Sequence, residues 1–396
     1  MKRGLKTLIA LLLLLAGDIS AQDIQSVNYS TTDMNIVPFN MASDATNIFS
    51  FTNQMNYYAT TYSNYLSENK TDAAVWLKYY KALRYSYEAN DLMSKGHTDL
   101  DSISVQMKQN VPGTFEQNFV SYWNSDHDQQ FYPELLKAYG QKNSDPELLR
   151  QMIGAQMIRG DLKSAAKYCA EWKATGDMPQ SIIDYAYDVL QSCAENSVLI
   201  TNGDYDSYPL VYWQEKMKVR MDVKILDLHL LERADNRAAI FKHFSLALPG
   251  NDSTTVFNPD YFRRVATVNN GTKFYLASTL PNSFLTSLSG DLYLCGLASR
   301  YGTDEVNNLE FLQNNVGTKM NFTIITSTYD GSKNNFDLNN SRSLSLNYVL
   351  PLAMAAERYE AEGNKKRAGE LRDMARAIGT STGKSNEVEQ VLSSHS

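Results

Sequence analysis

Cysteine, histidine and positive charge are all scarce in this chain of 396 residues, and each scarcity excludes a class of protein. There are only three cysteines, Cys169, Cys193 and Cys295, which fit neither a disulfide framework nor a zinc site. We expect three buried thiols that pack as small apolar side chains, with a Cys169–Cys193 disulfide as the alternative in an oxidising compartment. The formal net charge of -7 argues against a nucleic-acid partner, because phosphate binding needs a basic face.

The common catalytic signatures are also missing. The sequence contains no His-Glu-x-x-His, no Gly-x-Ser-x-Gly, no phosphate-binding loop and no Gly-x-Gly-x-x-Gly. His97, His127, His229 and His243 stand singly rather than in a zinc-binding group. A non-enzymatic protein is therefore the favoured interpretation, although enzymatic activity is not excluded.

A sustained hydrophobic run occurs only near the N-terminus. Basic residues precede the apolar segment Leu8–Ala16, and small residues follow it up to Ala21. This order is typical of a cleaved signal peptide over residues 1–21, since a membrane span needs about 20 apolar residues. The alternative is an uncleaved N-terminal anchor. We expect a protein of the periplasm or the extracellular face, with no integral membrane span after cleavage.

Residues 46–196 have the periodicity of helices throughout. Apolar residues recur at helical spacing over Ala73–Asn90, with Asp72 as a plausible N-cap. The segment from Ile153 to Trp172, broken at Gly160-Asp161, predicts a helical hairpin. Such hairpins resemble tetratricopeptide-like repeats, and an irregular helical domain is the alternative.

Residues 197–330 predict a small α/β module. Val198–Thr201 and Val223–Leu228 are apolar runs that flank a helical segment, Pro209–Met217, so we expect two parallel strands joined by a crossover. Lys273–Thr279 and Phe322–Ser327 also have strand character, whereas Asp291–Ala298 suits either a helix or a strand.

The remaining residues return to helix. Residues 344–380 predict a C-terminal helical hairpin, and the polar segment 381–396 predicts a disordered tail. The predicted fold is thus a mixture of α/β and α+β that is mostly helical, with a tetratricopeptide-like N-terminal region.

A polar cluster follows the first predicted strand, at the end where open α/β sheets bind ligands. Its carboxylates, amides and tyrosine could bind a ligand or a glycan, and Asp204 with Asp206 could hold a divalent cation. In the structural alternative, Asn-Gly-Asp forms a turn, Asp206 or Ser207 caps a helix that Pro209 opens, and the later polar residues anchor loops. The candidate ligand-binding residues are Asn202, Asp204, Asp206, Tyr208, Gln214, Glu215 and Arg220.

The segment TNGDYDSYPLVYWQEKMKVRMDV at 201–223 resembles a signature of a large bacterial membrane-protein family of unknown function. Members of this Bacteroidetes-type family join a protein O-mannosyltransferase-like membrane half to a soluble periplasmic half. Similar stretches follow at Lys273–Phe284, Asp291–Tyr301 and Leu346–Leu371. The resemblance implies a soluble periplasmic module. The 396 residues contain no multi-spanning half, so glycosyl transfer does not carry over.

Two short segments, Asp101-Ser102-Ile103 and Asp252-Ser253-Thr254, resemble an acceptor pattern for periplasmic O-glycosylation. Ser102 and Ser253 are therefore candidate modification sites, and turn-capping serines are the alternative. Taken together, the sequence predicts a non-catalytic interaction or scaffold protein of the cell envelope with a protein or glycan partner. The alternative is a ligand-, glycan- or metal-binding domain centred on Asn-Gly-Asp-x-Asp, with no cofactor beyond a divalent cation.

Overall fold

The structure is a computed structural model that describes residues 45–89, 93–250, 256–302, 308–329 and 341–395. The predicted signal peptide lies outside these residues. Within the described part of the chain, no helix is both long and apolar enough to cross a membrane.

The described elements are mostly helices, with five short strands in the second half of the chain. The first helices are α1 (Ala45–Glu68), α2 (Ala73–Ala89), α3 (Met93–Asn110), α4 (Phe115–Trp123), α5 (Tyr132–Gln141), α6 (Pro146–Arg159), α7 (Leu162–Thr175) and α8 (Gln180–Gln191). The central elements are β1 (Val198–Thr201), α9 (Asp204–Val211), β2 (Lys224–Asp227), α10 (Ala234–His243), α11 (Pro259–Val268), β3 (Phe274–Ala277), α12 (Asn282–Leu288), β4 (Leu292–Leu294) and β5 (Ala298–Tyr301). The last helices are α13 (Leu309–Asn314), α14 (Thr323–Thr326), α15 (Val349–Ala361), α16 (Lys365–Thr382) and α17 (Ser385–Ser393).

The described chain forms two compact units, and the first, which we call the helical unit, runs up to residue 177 and includes residues 235–240. Its helices pack in successive pairs, α1 on α2, α4 on α5 and α6 on α7. The predicted hairpin is confirmed, because α6 ends at Gly160 with a φ of 75° and Asp161 caps the start of α7. The predicted helix over Ala73–Asn90 is confirmed as α2, and the Asp72 carboxylate accepts the Val75 N–H at 3.1 Å.

The second, which we call the sheet unit, comprises residues 178–234 and 241–395 of the described chain. Its five strands lie in the order β2-β1-β3-β5-β4. β2, β1 and β3 are parallel, with Val198 opposite both Lys224 and Phe274, whereas β5 and β4 run antiparallel. The predicted parallel pair and the predicted strand at Lys273–Thr279 are confirmed. The predicted mixed, mostly helical fold is confirmed as well.

Two other segments differ from or sharpen the sequence predictions. Phe322–Ser327 forms α14 rather than a strand, because the buried Asp188 carboxylate accepts the N–H groups of Asn321 and Phe322 and starts a helical turn there. Asp291–Ala298, for which helix and strand were both open, supplies β4 and the start of β5.

The predicted domain boundaries also change. The predicted helical domain ended at residue 196, but α8 belongs to the sheet unit, and so does the C-terminal hairpin of α15 and α16. The prediction of a disordered tail over 381–396 is wrong. Residues Ser385–Ser393 form α17, which buries the apolar side chains of Val388, Val391 and Leu392 at helical spacing.

The three cysteines behave as the sequence predicts. Cys169, Cys193 and Cys295 are all buried free thiols, so the alternative Cys169–Cys193 disulfide is not formed. Burial raises the pKa of each thiol above its usual range, which keeps all three in the unreactive protonated form.

Candidate functional site

The polar residues of the candidate site meet where the three parallel strands end. Asn202 directly follows β1, Asp227 is the last residue of β2, and Thr279 follows β3 by two residues. Because the strands are parallel and in register, with Thr201 opposite Asp227, their carboxyl ends share one edge of the sheet. We call this the strand edge.

Asp206 joins two of these strand ends. One of its carboxylate oxygens, Oδ2, accepts hydrogen bonds from the Asn202 backbone N–H at 2.8 Å and from the Thr279 hydroxyl at 2.7 Å. The Asn202 side-chain amide completes the connection by donating to the Thr279 carbonyl at 3.1 Å. Asp206 is only 7% exposed, so its carboxylate holds the end of β1 against the end of β3.

The protonation of Asp206 follows from its burial. Loss of solvation raises the pKa of the Asp206 carboxyl to about 6, against the lowering effect of the hydrogen bonds from Thr279 and Asn202. The nearby Asp227 raises this pKa further. Near neutral pH the strand edge therefore contains buried carboxylates close to their titration range.

Asp227 is a member of the site that sequence reasoning missed. Its side chain is 1% exposed, and Oδ1 accepts the N–H of His229 at 2.9 Å and that of Leu230 at 3.4 Å. Burial raises the pKa of the Asp227 carboxyl, the charge of His229 lowers it, and the charge of Asp204 raises it. The available signal was its position as an acidic residue near the end of an apolar run that was predicted to pair with β1.

The helix after β1 begins earlier than predicted. Gly203 precedes it with φ 81° and ψ -170°, a conformation that is essentially restricted to glycine, and α9 starts at Asp204. The interpretation in which Pro209 opens the helix under an Asp206 or Ser207 cap is therefore wrong. Instead, the N–H groups of Asp206 and Ser207 donate to the Gly203 carbonyl at 3.1 and 2.8 Å, and Pro209 lies inside the helix.

Gln214 anchors the loop that leads into β2, as the structural interpretation predicts. Its amide donates to the Arg220 carbonyl at 2.7 Å and to the Val223 carbonyl at 2.6 Å. Gln214 is 4% exposed, so these two hydrogen bonds use its amide inside the protein rather than at a surface.

Arg220 fastens the same loop to the end of α8. Its guanidinium donates to three backbone carbonyls, of Leu190 at 2.9 Å, Cys193 at 2.8 Å and Ala194 at 2.9 Å. It also forms a two-point ion pair with Asp222, and its hydrogen bonds lower the pKa of the Asp222 carboxyl to about 2. These contacts give Arg220 a structural role.

The remaining predicted site residues are Tyr208, Glu215 and Asp204. Tyr208 is fully buried and offers no stacking surface, and Glu215 is partly exposed with Lys218 at 3.5 Å. Asp204 is partly exposed at the first turn of α9. Among the described residues, no group of three His, Cys, Asp or Glu side chains could hold a metal ion, so Asp204 and Asp206 do not assemble such a set.

A second buried carboxylate outside the strand edge also escaped the sequence analysis. Asp188 on α8 accepts the Tyr348 hydroxyl at 2.8 Å in addition to the two N–H groups before α14. Burial raises the pKa of its carboxyl to about 6. Asp188 therefore connects α8 to the segments that precede α14 and α15.

Of the two candidate glycosylation sites, one can be placed. Ser102 is exposed but lies inside α3 rather than between helices, where its hydroxyl accepts a hydrogen bond from the Gln106 amide at 3.3 Å. Ser253 lies outside the described residues. An enzyme that needs an extended acceptor would have to unwind α3 to reach Ser102.

The fold and the strand edge define an α/β module whose first strand–turn–helix–strand unit lies against a helix, α8. Residues 182–235, which span this unit from α8 to the start of α10, match the family model of TMEM260-associated domain 2. The match covers 54 of the 396 residues, and these include the candidate site except Thr279. No curated protein and no solved structure matches the chain.

Proposed function

We propose that this protein is an exported, non-catalytic component of the cell envelope that holds a partner on the surface of its helical unit. The observation that carries the proposal is the exposed surface of α1. Every residue of this 24-residue helix except the terminal Glu68 is uncharged, although 20% of the whole chain is charged. Tyr57 and Tyr65 are 67% and 46% exposed on it.

Such a surface has the composition of a binding face. Binding interfaces are enriched in tyrosine and depleted of charge at their centres. The paired helices of the helical unit are also the kind of scaffold on which repeat proteins build extended binding surfaces. By contrast, Asn202, Asp206, Gln214 and Arg220 bond to the protein's own backbone, which favours a structural role for the signature segment.

The location follows from the N-terminal sequence. A basic, then apolar, then small-residue order over residues 1–21 supports export, and the resemblance to a Bacteroidetes-type family supports the periplasm or the extracellular face. A membrane-embedded mannosyltransferase-like protein is the natural neighbour in this proposal, since relatives of the family carry the two halves together.

Site-specific photo-crosslinking in the native host tests the proposal. A benzophenone amino acid replaces Tyr57 in the full chain, and the matched control replaces Lys163, an exposed residue of α7 in the same unit. We expect a discrete adduct from position 57 and none from position 163. Equal adducts from both positions, or none from position 57, would refute the proposal.

One observation favours a second function, a ligand site at the strand edge. The other oxygen of Asp227, Oδ2, is buried and meets no hydrogen-bond donor within bonding geometry among the described residues, although the Ser207 hydroxyl is near enough to lower the carboxyl pKa. A sugar hydroxyl that reached the strand edge would donate to this carboxylate in addition to Ser207. Ligand-induced thermal stabilisation that Asp227→Asn abolishes, with the fold retained, would support this function. Equal stabilisation of the variant and the wild type would end it.

A further inference from the structure

Four tyrosines of α1 form an aromatic strip, which we call the tyrosine face: Tyr57, Tyr58, Tyr62 and Tyr65. The rings of Tyr58 and Tyr62 stack with centroids 6.1 Å apart and planes 16° apart, and the Tyr57 ring lies 5.9 Å from that of Tyr58. Tyr58, Tyr62 and Tyr65 follow the i, i+4, i+7 spacing of one helix face. The strip therefore extends over two helical turns, about 11 Å.

We propose that the tyrosine face binds a neutral glycan. This inference rests on the proposed function, because it names the class of partner that the same surface holds. The flat, electron-rich faces of tyrosine rings attract the polarised C–H groups of a sugar ring, and the rings carry a hydroxyl at the rim for hydrogen bonding.

The side chains around the tyrosine face suit sugar hydroxyls. Its exposed neighbours carry amides and hydroxyls, which both donate and accept hydrogen bonds as sugar hydroxyls do. They are Asn53, Thr60, Thr61 and Asn64, each three or four residues from a tyrosine of the face or from another of these residues. The charged side chain that contacts the tyrosine face is Asp72, whose carboxylate accepts the Tyr65 hydroxyl at 3.4 Å, so an anionic polysaccharide would find no complementary positive charge there.

A glycan fits this surface better than a protein does, because aliphatic anchors are missing. The aliphatic and phenyl side chains of α1 that the structure describes, among them Phe51, Met55 and Leu66, are buried. The large apolar side chains exposed on its described surface are the tyrosines alone. Protein interfaces usually add buried anchors such as Trp, Met or Arg to their tyrosines.

The exposed residues of α1 are also poor choices for a helix surface. Asn, Thr, Ser and Tyr have weak helix propensity, whereas Ala, Glu, Lys and Arg would stabilise an exposed helix. Thr60 and Thr61 even donate their hydroxyls to backbone carbonyls one turn earlier, at 2.9 Å each. Departures from local stability of this kind are expected where a surface has a function.

The test uses the full chain and a panel of soluble hexasaccharides. Cellohexaose, mannohexaose and maltohexaose are the neutral probes, and hexagalacturonate is the acidic control, with binding measured by isothermal titration calorimetry. We expect at least one neutral hexaose to bind, with affinity reduced at least tenfold by Tyr57→Ala with Tyr65→Ala. The matched control, Phe131→Ala, removes an exposed aromatic side chain elsewhere in the helical unit and should leave the affinity unchanged.

Each other outcome overturns the glycan inference. These outcomes are that no neutral hexaose binds, that hexagalacturonate binds as well as a neutral hexaose, or that the tyrosine double variant binds like the wild type. If the double variant instead changes the oligomeric state, the tyrosine face contacts a second copy of the chain. A protein adduct from position 57 together with an absence of glycan binding would end the glycan inference and leave the proposed function standing.

Discussion

Replacing the buried Asp206 with asparagine should change how the stability of the sheet unit depends on pH. The pKa of the Asp206 carboxyl is about 6 in the folded protein, compared with an ordinary value of 3.8. A raised folded pKa means that the folded state binds more protons than the unfolded state between these two values. The contribution of Asp206 to stability is therefore fully present below pH 3.8 and is lost as the pH rises through about 6.

The size of the effect follows from the pKa difference. About two pKa units correspond to roughly 3 kcal/mol, at about 1.4 kcal/mol per unit. In the asparagine variant, the side-chain carbonyl can accept the same hydrogen bonds from Asn202 and Thr279 without carrying a buried charge. We therefore expect Asp206→Asn to match the wild type near pH 4 and to be more stable by up to about 3 kcal/mol at pH 7.

The measurement must report on the sheet unit over the whole pH range. Urea unfolding can be followed by peroxide oxidation of Met320 and Met354, which are buried in that unit, because thioether oxidation needs no deprotonation. Asp260→Asn is the matched control, since the Asp260 side chain is 86% exposed. Asp206→Ala removes the acceptor and should cost about 2–4 kcal/mol near pH 4, and less at pH 7, where the wild type carries the buried charge that alanine lacks. A wild-type pH slope that Asp206→Asn leaves intact would refute this account.

Substitutions at four further positions test other parts of the sheet unit through the same urea unfolding. Gly203→Ala should cost about 1–3 kcal/mol, because φ 81° with ψ -170° strains any residue with a Cβ; a neutral result would mean that the backbone relaxes freely. Arg220→Ala should cost about 2–4 kcal/mol and Arg220→Lys nearly as much, since lysine cannot reach three carbonyls and Asp222 together; full rescue by lysine would show that only the charge matters. Gln214→Glu should cost about 2–4 kcal/mol above roughly pH 6, because a carboxylate would face two carbonyl oxygens. Val391→Asp should destabilise the sheet unit by about 3 kcal/mol, whereas a disordered tail would tolerate it.

Local sequence patterns predicted the elements that depend on local signals. The helical hairpin at Gly160 needed only a left-handed glycine and an Asp cap. The parallel pair of β1 and β2 followed from two apolar runs separated by a crossover. Phe322–Ser327 failed as a strand because its helical turn depends on Asp188, which is 133 residues before Asn321 in the chain. The tail failed because its polar composition concealed the buried side chains of α17.

The residues of the candidate site also differ in whether local sequence patterns could identify them. Gln214 and Arg220 were recognisable as loop anchors, since their partners are in the loop before β2 and at the end of α8, no more than 30 residues away. Asp227 and Thr279 join the site only because β1 lies between β2 and β3 in the sheet. No local pattern states that strand order, so a sequence search for paired carboxylates near Asp204 could not reach them.

The contacts of residues 201–223 also limit what a resemblance confined to this segment implies. Its first part joins the ends of β1 and β3 through Asp206, and its later part fastens the loop before β2 through Gln214 and Arg220. Both sets of contacts join elements of the sheet unit to one another, whatever ligand the sheet meets. Similarity confined to a segment of this kind therefore indicates a shared fold and not a shared activity, because function depends on the particular residues of a site rather than on the fold. For this protein the features to examine for function lie beyond those anchoring contacts: the buried Asp227 carboxylate at the strand edge and, above all, the uncharged surface of α1.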